Sequence, residues 1–83
     1  MKVKVIGSHL CPDTLYALNR LSAADAEIDF VDILSCHDAL KTFLHIRETS
    51  DLYKDIRGTS RIGVPCFVLE DGSMTMDLDK ILG

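Results

Sequence analysis

Val64-Pro65-Cys66-Phe67-Val68-Leu69 is an unbroken apolar run, and it constrains this chain more than any other segment. A half-exposed strand alternates polar and apolar residues; a continuous run marks a strand covered on both faces. Helices packed on a sheet that contains this segment meet that demand. Proline has no N–H to give to a sheet ladder, so Pro65 belongs at the head of the strand. Asp71-Gly72 follows closely and is the strongest hairpin signal in the chain. It turns the run back into a short strand, Met74-Thr75-Met76.

The remaining segments supply partners for that strand. Lys2 to Ile6 is β-rich and ends at Gly7-Ser8. Cys11-Pro12-Asp13-Thr14 then opens a helix, because a proline in the first turn gives up only an N–H that has no partner there. Asp13 suits the positive end of the helix dipole. Leu15, Leu18 and Leu21 recur at helical spacing as the apolar stripe, edged by Tyr16 and Ala17, and the helix runs to about Ala23 or Ala24. Glu27 to Leu34 alternates with β-branched character and reads as a second strand. Ser35-Cys36-His37-Asp38 has the form of a capping box with Ser35 at the N-cap. Ala39, Leu40, Phe43, Leu44 and Ile46 carry a second helix from it to about Glu48.

Thr49-Ser50-Asp51 breaks and recaps the chain. Leu52 to Arg57 forms a further short helical stretch ended by Gly58. Thr59 to Gly63 is a polar loop, and Asp77 to Lys80 a last abbreviated helical turn. The order is β-α-β-α-β-β with a truncated C-terminal helix, in one domain spanning residues 1–83. A right-handed crossover makes the first two strands parallel, and the final hairpin is antiparallel. The expected fold class is therefore α/β, with a four-stranded mixed sheet.

Charge and cysteine usage narrow the function classes. The net charge is −4, and acidic residues are spread along all 83 positions. Nucleic-acid binding needs a basic face, which no segment offers. No apolar run approaches the roughly 20 residues that span a bilayer. Met1 to Ile6 lacks the long apolar core and small-residue cleavage site of a signal peptide, so a cytoplasmic location is expected. The cysteines Cys11, Cys36 and Cys66 are odd in number and widely spaced, which suits reduced thiols better than a disulfide framework.

Two features can carry chemistry. Cys11 lies just after a strand, at the first turn of a helix, where unpaired N–H groups favour the nucleophilic thiolate of a cysteine. Val64-Pro65 heads the buried strand, and a cis peptide there would present the Val64 backbone to an extended ligand. Cys66 follows Pro65 and should point away from it into the core. Cys36 lies in the capping turn, and His9 is the one cation candidate near Cys11. His45 is expected on the solvated face of the second helix. No cysteine pair has metal-ligand spacing, so no metal site is expected.

Cys11-Pro12-Asp13-Thr14 after the first strand, with Ile62-Gly63-Val64-Pro65 before the third, resembles the two active-site segments of glutaredoxins in the thioredoxin superfamily. The likeness is closest to short bacterial glutaredoxin-related proteins with a Cys-Pro-Asp-Cys site, which also carry stretches like Leu40 to Arg47 and Ile62 to Gly72. It extends over nearly the whole chain. It implies a thioredoxin-like, glutaredoxin-type three-layer fold and a catalytic Cys11, with Pro12, Val64 and Pro65 binding substrate. Thr14 stands where the second cysteine would be, so the implied cycle is monothiol, with Thr14 able to hydrogen-bond the thiolate. Ser8 replaces the usual basic residue, and Met74-Thr75-Met76-Asp77 replaces the Gly-Gly segment that holds glutathione.

The expected function is thus thiol–disulfide exchange on a disulfide-bearing protein or small thiol. No cofactor is expected to be bound, with glutathione as a potential co-substrate and Arg57 or Arg61 facing its carboxylate. The protein is expected to be a monomer. Two other readings stay open: a non-catalytic binding module on the same fold, and a glutathione-assisted iron–sulfur or metal carrier.

Overall fold

The computed structural model describes residues 1–83. Strand β1 (Lys2–Gly7) leads into helix α1 (Pro12–Ala23), strand β2 (Glu27–Asp32) and helix α2 (His37–Thr49). A 3-10 turn at Asp51–Tyr53 and a long loop follow. Strand β3 (Cys66–Leu69), strand β4 (Met74–Thr75) and helix α3 (Asp79–Leu82) complete the chain. The sheet order is β2-β1-β3-β4. β1 runs parallel to β2, with Lys2 opposite Glu27 and Gly7 opposite Asp32. It runs antiparallel to β3, with Ile6 opposite Cys66, and β3 pairs antiparallel with β4. This is the thioredoxin-like α/β arrangement expected from the sequence.

Strand alternation divides the apolar residues between two cores. Val3, Val5 and Phe67 face α1 and pack on Ala17 and Leu21, with Leu78, Ile81 and Leu82 from the α3 end closing that side. Ile6 and Cys66 face the opposite way and pack with Ile33, Phe43, Tyr53 and Ile56. The rings of Phe43 and Tyr53 meet edge to face, 6.0 Å apart at 78°. Helices on both faces of the sheet give the three layers, and in β3 at their junction Cys66 and Phe67 are buried while Val68 and Leu69 are half-buried.

Local details depart from the sequence reading in four places. The buried face of α1 is Thr14, Ala17 and Leu21, flanked by Leu18, whereas Leu15 is exposed. Small residues at 14 and 17 let the helix approach the sheet closely, and Leu15 lies about 100° round the helix from Thr14. The N-cap of α2 is Cys36, with no side-chain cap. The Ser35 hydroxyl instead donates to the Asp32 carbonyl at 2.7 Å, finishing the turn out of β2. Leu44, expected on the apolar stripe of α2, is exposed. Finally, β3 begins at Cys66, leaving Val64 and Pro65 outside the ladder. The recapping at Ser50 is as expected: its hydroxyl accepts from the Leu52 N–H at 3.2 Å. No helix is long and apolar enough to cross a membrane.

Candidate functional site

Cys11 is held by a knotted loop between β1 and α1. Its N–H donates to the Ser8 carbonyl at 3.0 Å, and the Leu10 N–H donates to the Ser8 hydroxyl at 3.1 Å. Asp32, at the end of β2, accepts from the Leu34 N–H at 3.1 Å and from the His9 N–H at 3.5 Å. Its other oxygen lies 2.7 Å from His9 Nδ1. Burial works against ionisation of Asp32, but the Leu34 N–H and the His9 contacts outweigh it and hold the carboxyl below its ordinary range. Cys11 is the N-cap of α1 in extended conformation, its carbonyl accepting the Leu15 N–H at 3.1 Å. Pro12 takes the first helical position, and the N–H groups of Asp13 and Thr14 have no intrahelical acceptor there. The partly buried Cys11 thiol makes no side-chain cap hydrogen bond to those donors.

Thr14 lies directly beneath this turn and is fully buried. Its hydroxyl oxygen accepts from the Ser8 N–H at 3.3 Å, so its recorded partner is the loop and not the Cys11 sulfur. It fills the space over Gly7, where an added Cβ would come within 2.6 Å of Thr14 Cγ2 and Oγ1. Gly7 is therefore a packing glycine that lets α1 dock.

The second wall is the loop before β3. The Val64–Pro65 peptide is cis, as expected. Gly63 has φ +90°, and a Cβ on it would overlap the Tyr53 ring. The Tyr53 hydroxyl donates to the Gly63 carbonyl at 2.5 Å. Burial, reinforced by the adjacent Cys66, pushes the Tyr53 phenol well above its ordinary pKa, and burial likewise raises the Cys66 thiol. Val64 contributes neither its N–H nor its carbonyl to any backbone hydrogen bond.

These two walls enclose a cleft of about 910 Å³. Cys11 and Asp13 line it on one side, and Arg61, Ile62, Gly63, Val64 and Pro65 on the other, with Phe67 and Met76 at its base. The structure thus brings Cys11, Val64 and Pro65 together; Pro12 and Thr14 support the site from outside the wall. The rim is apolar: Leu10, Tyr16, Leu34 and Ile62 all line the cleft, and each is more than half exposed. Arg61 and Asp13 are its charged groups. Arg57 does not reach it, because its guanidinium is spent on the carbonyls of Arg47, at 2.7 Å, and Ser50. Cys66 turns into the α2-side core, Cys36 is exposed on another turn, and His9 lies outside the lining.

Two residues that shape the site escaped the sequence reading, Arg47 and Tyr53; Gly63 was included in the Ile62–Pro65 segment, but its own role was not. Arg47 reads as an ordinary basic residue in the last turn of a helix. Tyr53 reads as an edge of a short helical stretch. Gly63 was legible in principle, since a glycine between an apolar residue and Val-Pro often marks a backbone turn of positive φ.

No family model matches this chain, and no solved structure matches it significantly. It is similar to a Haemophilus influenzae protein described as an uncharacterized protein, 28% identical over 71 residues. That stretch covers 86% of this chain and 83% of the Haemophilus protein.

Proposed function

We propose that this protein is a glutaredoxin-like monothiol thiol–disulfide oxidoreductase of a reducing, cytoplasmic compartment, with Cys11 as its nucleophile. One observation carries this reading: a partly exposed helix-N-cap thiol faces, across one cleft, a Val64 backbone with no hydrogen-bonding partner of its own. An extended segment bearing a disulfide would pair with Val64 by main-chain hydrogen bonds and bring its sulfur to Cys11. The Cys11 thiolate attacks one sulfur of the substrate disulfide. A new S–S bond joins Cys11 to that sulfur, and the other sulfur leaves as a thiolate that takes a proton from water. An external thiol, such as glutathione, then attacks the substrate-derived sulfur as its thiolate, because Thr14 supplies no sulfur to resolve the intermediate internally. A new S–S bond joins the two, Cys11 leaves as the thiolate, and the product departs as a mixed disulfide with the external thiol. The apolar rim of Leu10, Tyr16, Leu34 and Ile62 favours a disulfide carried by a polypeptide over a small polar one.

The test is turnover of two substrates, a peptide–glutathione mixed disulfide and a disulfide-bearing protein, with and without Cys11→Ser. The expected result is complete loss of exchange in the variant with its fold unchanged. Equal rates in the two proteins remove Cys11 from the reaction.

A further inference from the structure

The loop from Ile56 to Pro65 has no secondary structure to hold it, yet it forms one wall of the cleft. Such a segment keeps a defined shape only if its carbonyl and N–H groups find partners. Three of its carbonyls converge on one nitrogen. Arg47 Nη2, reaching out from the last turn of α2, donates to the carbonyls of Ile56 at 3.3 Å, Thr59 at 3.3 Å and Arg61 at 2.9 Å. The side chain is only 16% exposed, and Glu48 lies 3.5 Å from its other terminal nitrogen. Thr59 completes the knot: its hydroxyl donates to the Ile56 carbonyl at 2.6 Å and accepts from the Arg61 N–H at 3.1 Å.

From this geometry we infer that Arg47 is a positioning residue for substrate binding, acting through the Arg61–Pro65 wall and not through Cys11. The inference rests on the exchange reaction proposed above and adds to it the device that sets the docking wall. A guanidinium is suited to the task because it stays charged and its fixed fork of donors can serve several carbonyls at once. With Arg47 in place, the Arg61 carbonyl is anchored three residues before Val64, and the Tyr53 hydroxyl anchors Gly63 next to it. The Val64 N–H and carbonyl are then presented without a search through loop conformations. Cys11 is held by a separate set of bonds, to Ser8 within its own loop, so loosening the wall leaves the nucleophile where it is.

The experiment compares wild type with Arg47→Met, which keeps the aliphatic stem, and with Arg47→Lys, which keeps the charge. With a peptide disulfide, Arg47→Met should raise KM roughly 10-fold or more, with kcat within about twofold of wild type. Alkylation of Cys11 should keep its rate. Arg47→Lys should recover part of the KM. Trypsin gives a readout independent of activity, because the carbonyl that Arg47 anchors belongs to the Arg61–Ile62 bond it cleaves. Nicking there should be faster in Arg47→Met.

An unchanged KM overturns the proposal. So does a fall in kcat that tracks slower Cys11 alkylation, which would mean the whole site had collapsed. Should Arg47→Met fail to fold, Thr59→Val loosens the same knot and must raise KM; an unchanged KM there is equally fatal. A wild-type protein without exchange activity refutes the functional reading separately, and the nicking rates then decide whether Arg47 holds the wall.

Discussion

Gly7→Ala is the sharpest test of how the Cys11 turn is seated. An added Cβ would lie 2.6 Å from Thr14 Cγ2 and Oγ1 and 3.2 Å from Thr14 Cβ. The first two separations are about 1 Å short of ordinary contact. Neither side can yield cheaply, since Gly7 is paired with Asp32 in the sheet and Thr14 is fully buried in the first turn of α1. Overpacking of this kind costs about 1–3 kcal/mol, of which replacing a glycine returns about 0.4–1 through the unfolded chain. A net loss of about 1–2 kcal/mol remains. At about 4–8 °C per kcal/mol for a domain of this size, Tm should fall by roughly 10 °C. Thr14→Ala alone leaves the Ser8 N–H without its acceptor and is itself destabilising by about 1–3 kcal/mol. The double variant removes both 2.6 Å contacts, so it should be more stable than the sum of the single losses. Thermal unfolding of all four proteins measures the coupling. Additive losses, or a Gly7→Ala protein as stable as wild type, would refute the close docking of α1 on β1.

Two further outcomes follow from the loop and core chemistry. Asp32 has a folded pKa below its unfolded value, so its stabilisation is present above about pH 4 and is lost as pH falls through the folded value; Asp32→Asn should therefore flatten the acid limb of a Tm–pH curve, and an unaltered limb would detach His9 and Leu34 from this carboxylate. Cys66 has its thiol pushed up by burial, so brief alkylation of the native protein should label Cys11 and Cys36 and spare Cys66 until denaturant is added; mass spectrometry of the labelled peptides reads this directly, and early labelling of Cys66 would contradict its place in the α2-side core.

The framework was legible because its signals are local. Pro12 marks the start of α1 by its missing N–H, and Gly72 marks the hairpin by its positive φ of 87°. The apolar run at 64–69 announces a two-sided sheet before any contact is known. At the start of α1, side-chain identity misled because size mattered more than hydrophobicity. Leu15 looks like core and Thr14 does not, but the close approach of α1 to Gly7 admits a threonine and turns the leucine outward. Ser35 looks like a cap, yet the chain uses its hydroxyl one turn earlier to leave β2. Within the site, the pairing of Cys11 with Val64-Pro65 could be anticipated from the resemblance of these two segments to glutaredoxin active-site segments. Arg47 could not, because its partners are backbone carbonyls, and carbonyls have no sequence signature.

The cleft is built across both cores, and this explains where its geometry is vulnerable. Cys11 depends on the α1-side core, through Thr14 packed on Gly7 and Ala17 packed against Val3, Val5 and Phe67. The Val64-Pro65 wall depends on the α2-side core, through Arg47 of α2 and through Tyr53 packed on Phe43. Strands β1, β2 and β3 contribute side chains to both cores. A substitution that loosens one core should therefore disturb one wall first. Loss on the α1 side should move Cys11 and lower the rate of every thiol reaction there. Loss on the α2 side should leave that thiol reactive but blur the shelf against which, under the proposed reaction, a substrate would be aligned. Under the proposed exchange reaction, site chemistry and substrate grip are thus expected to be separable, because different layers of the protein hold the two walls.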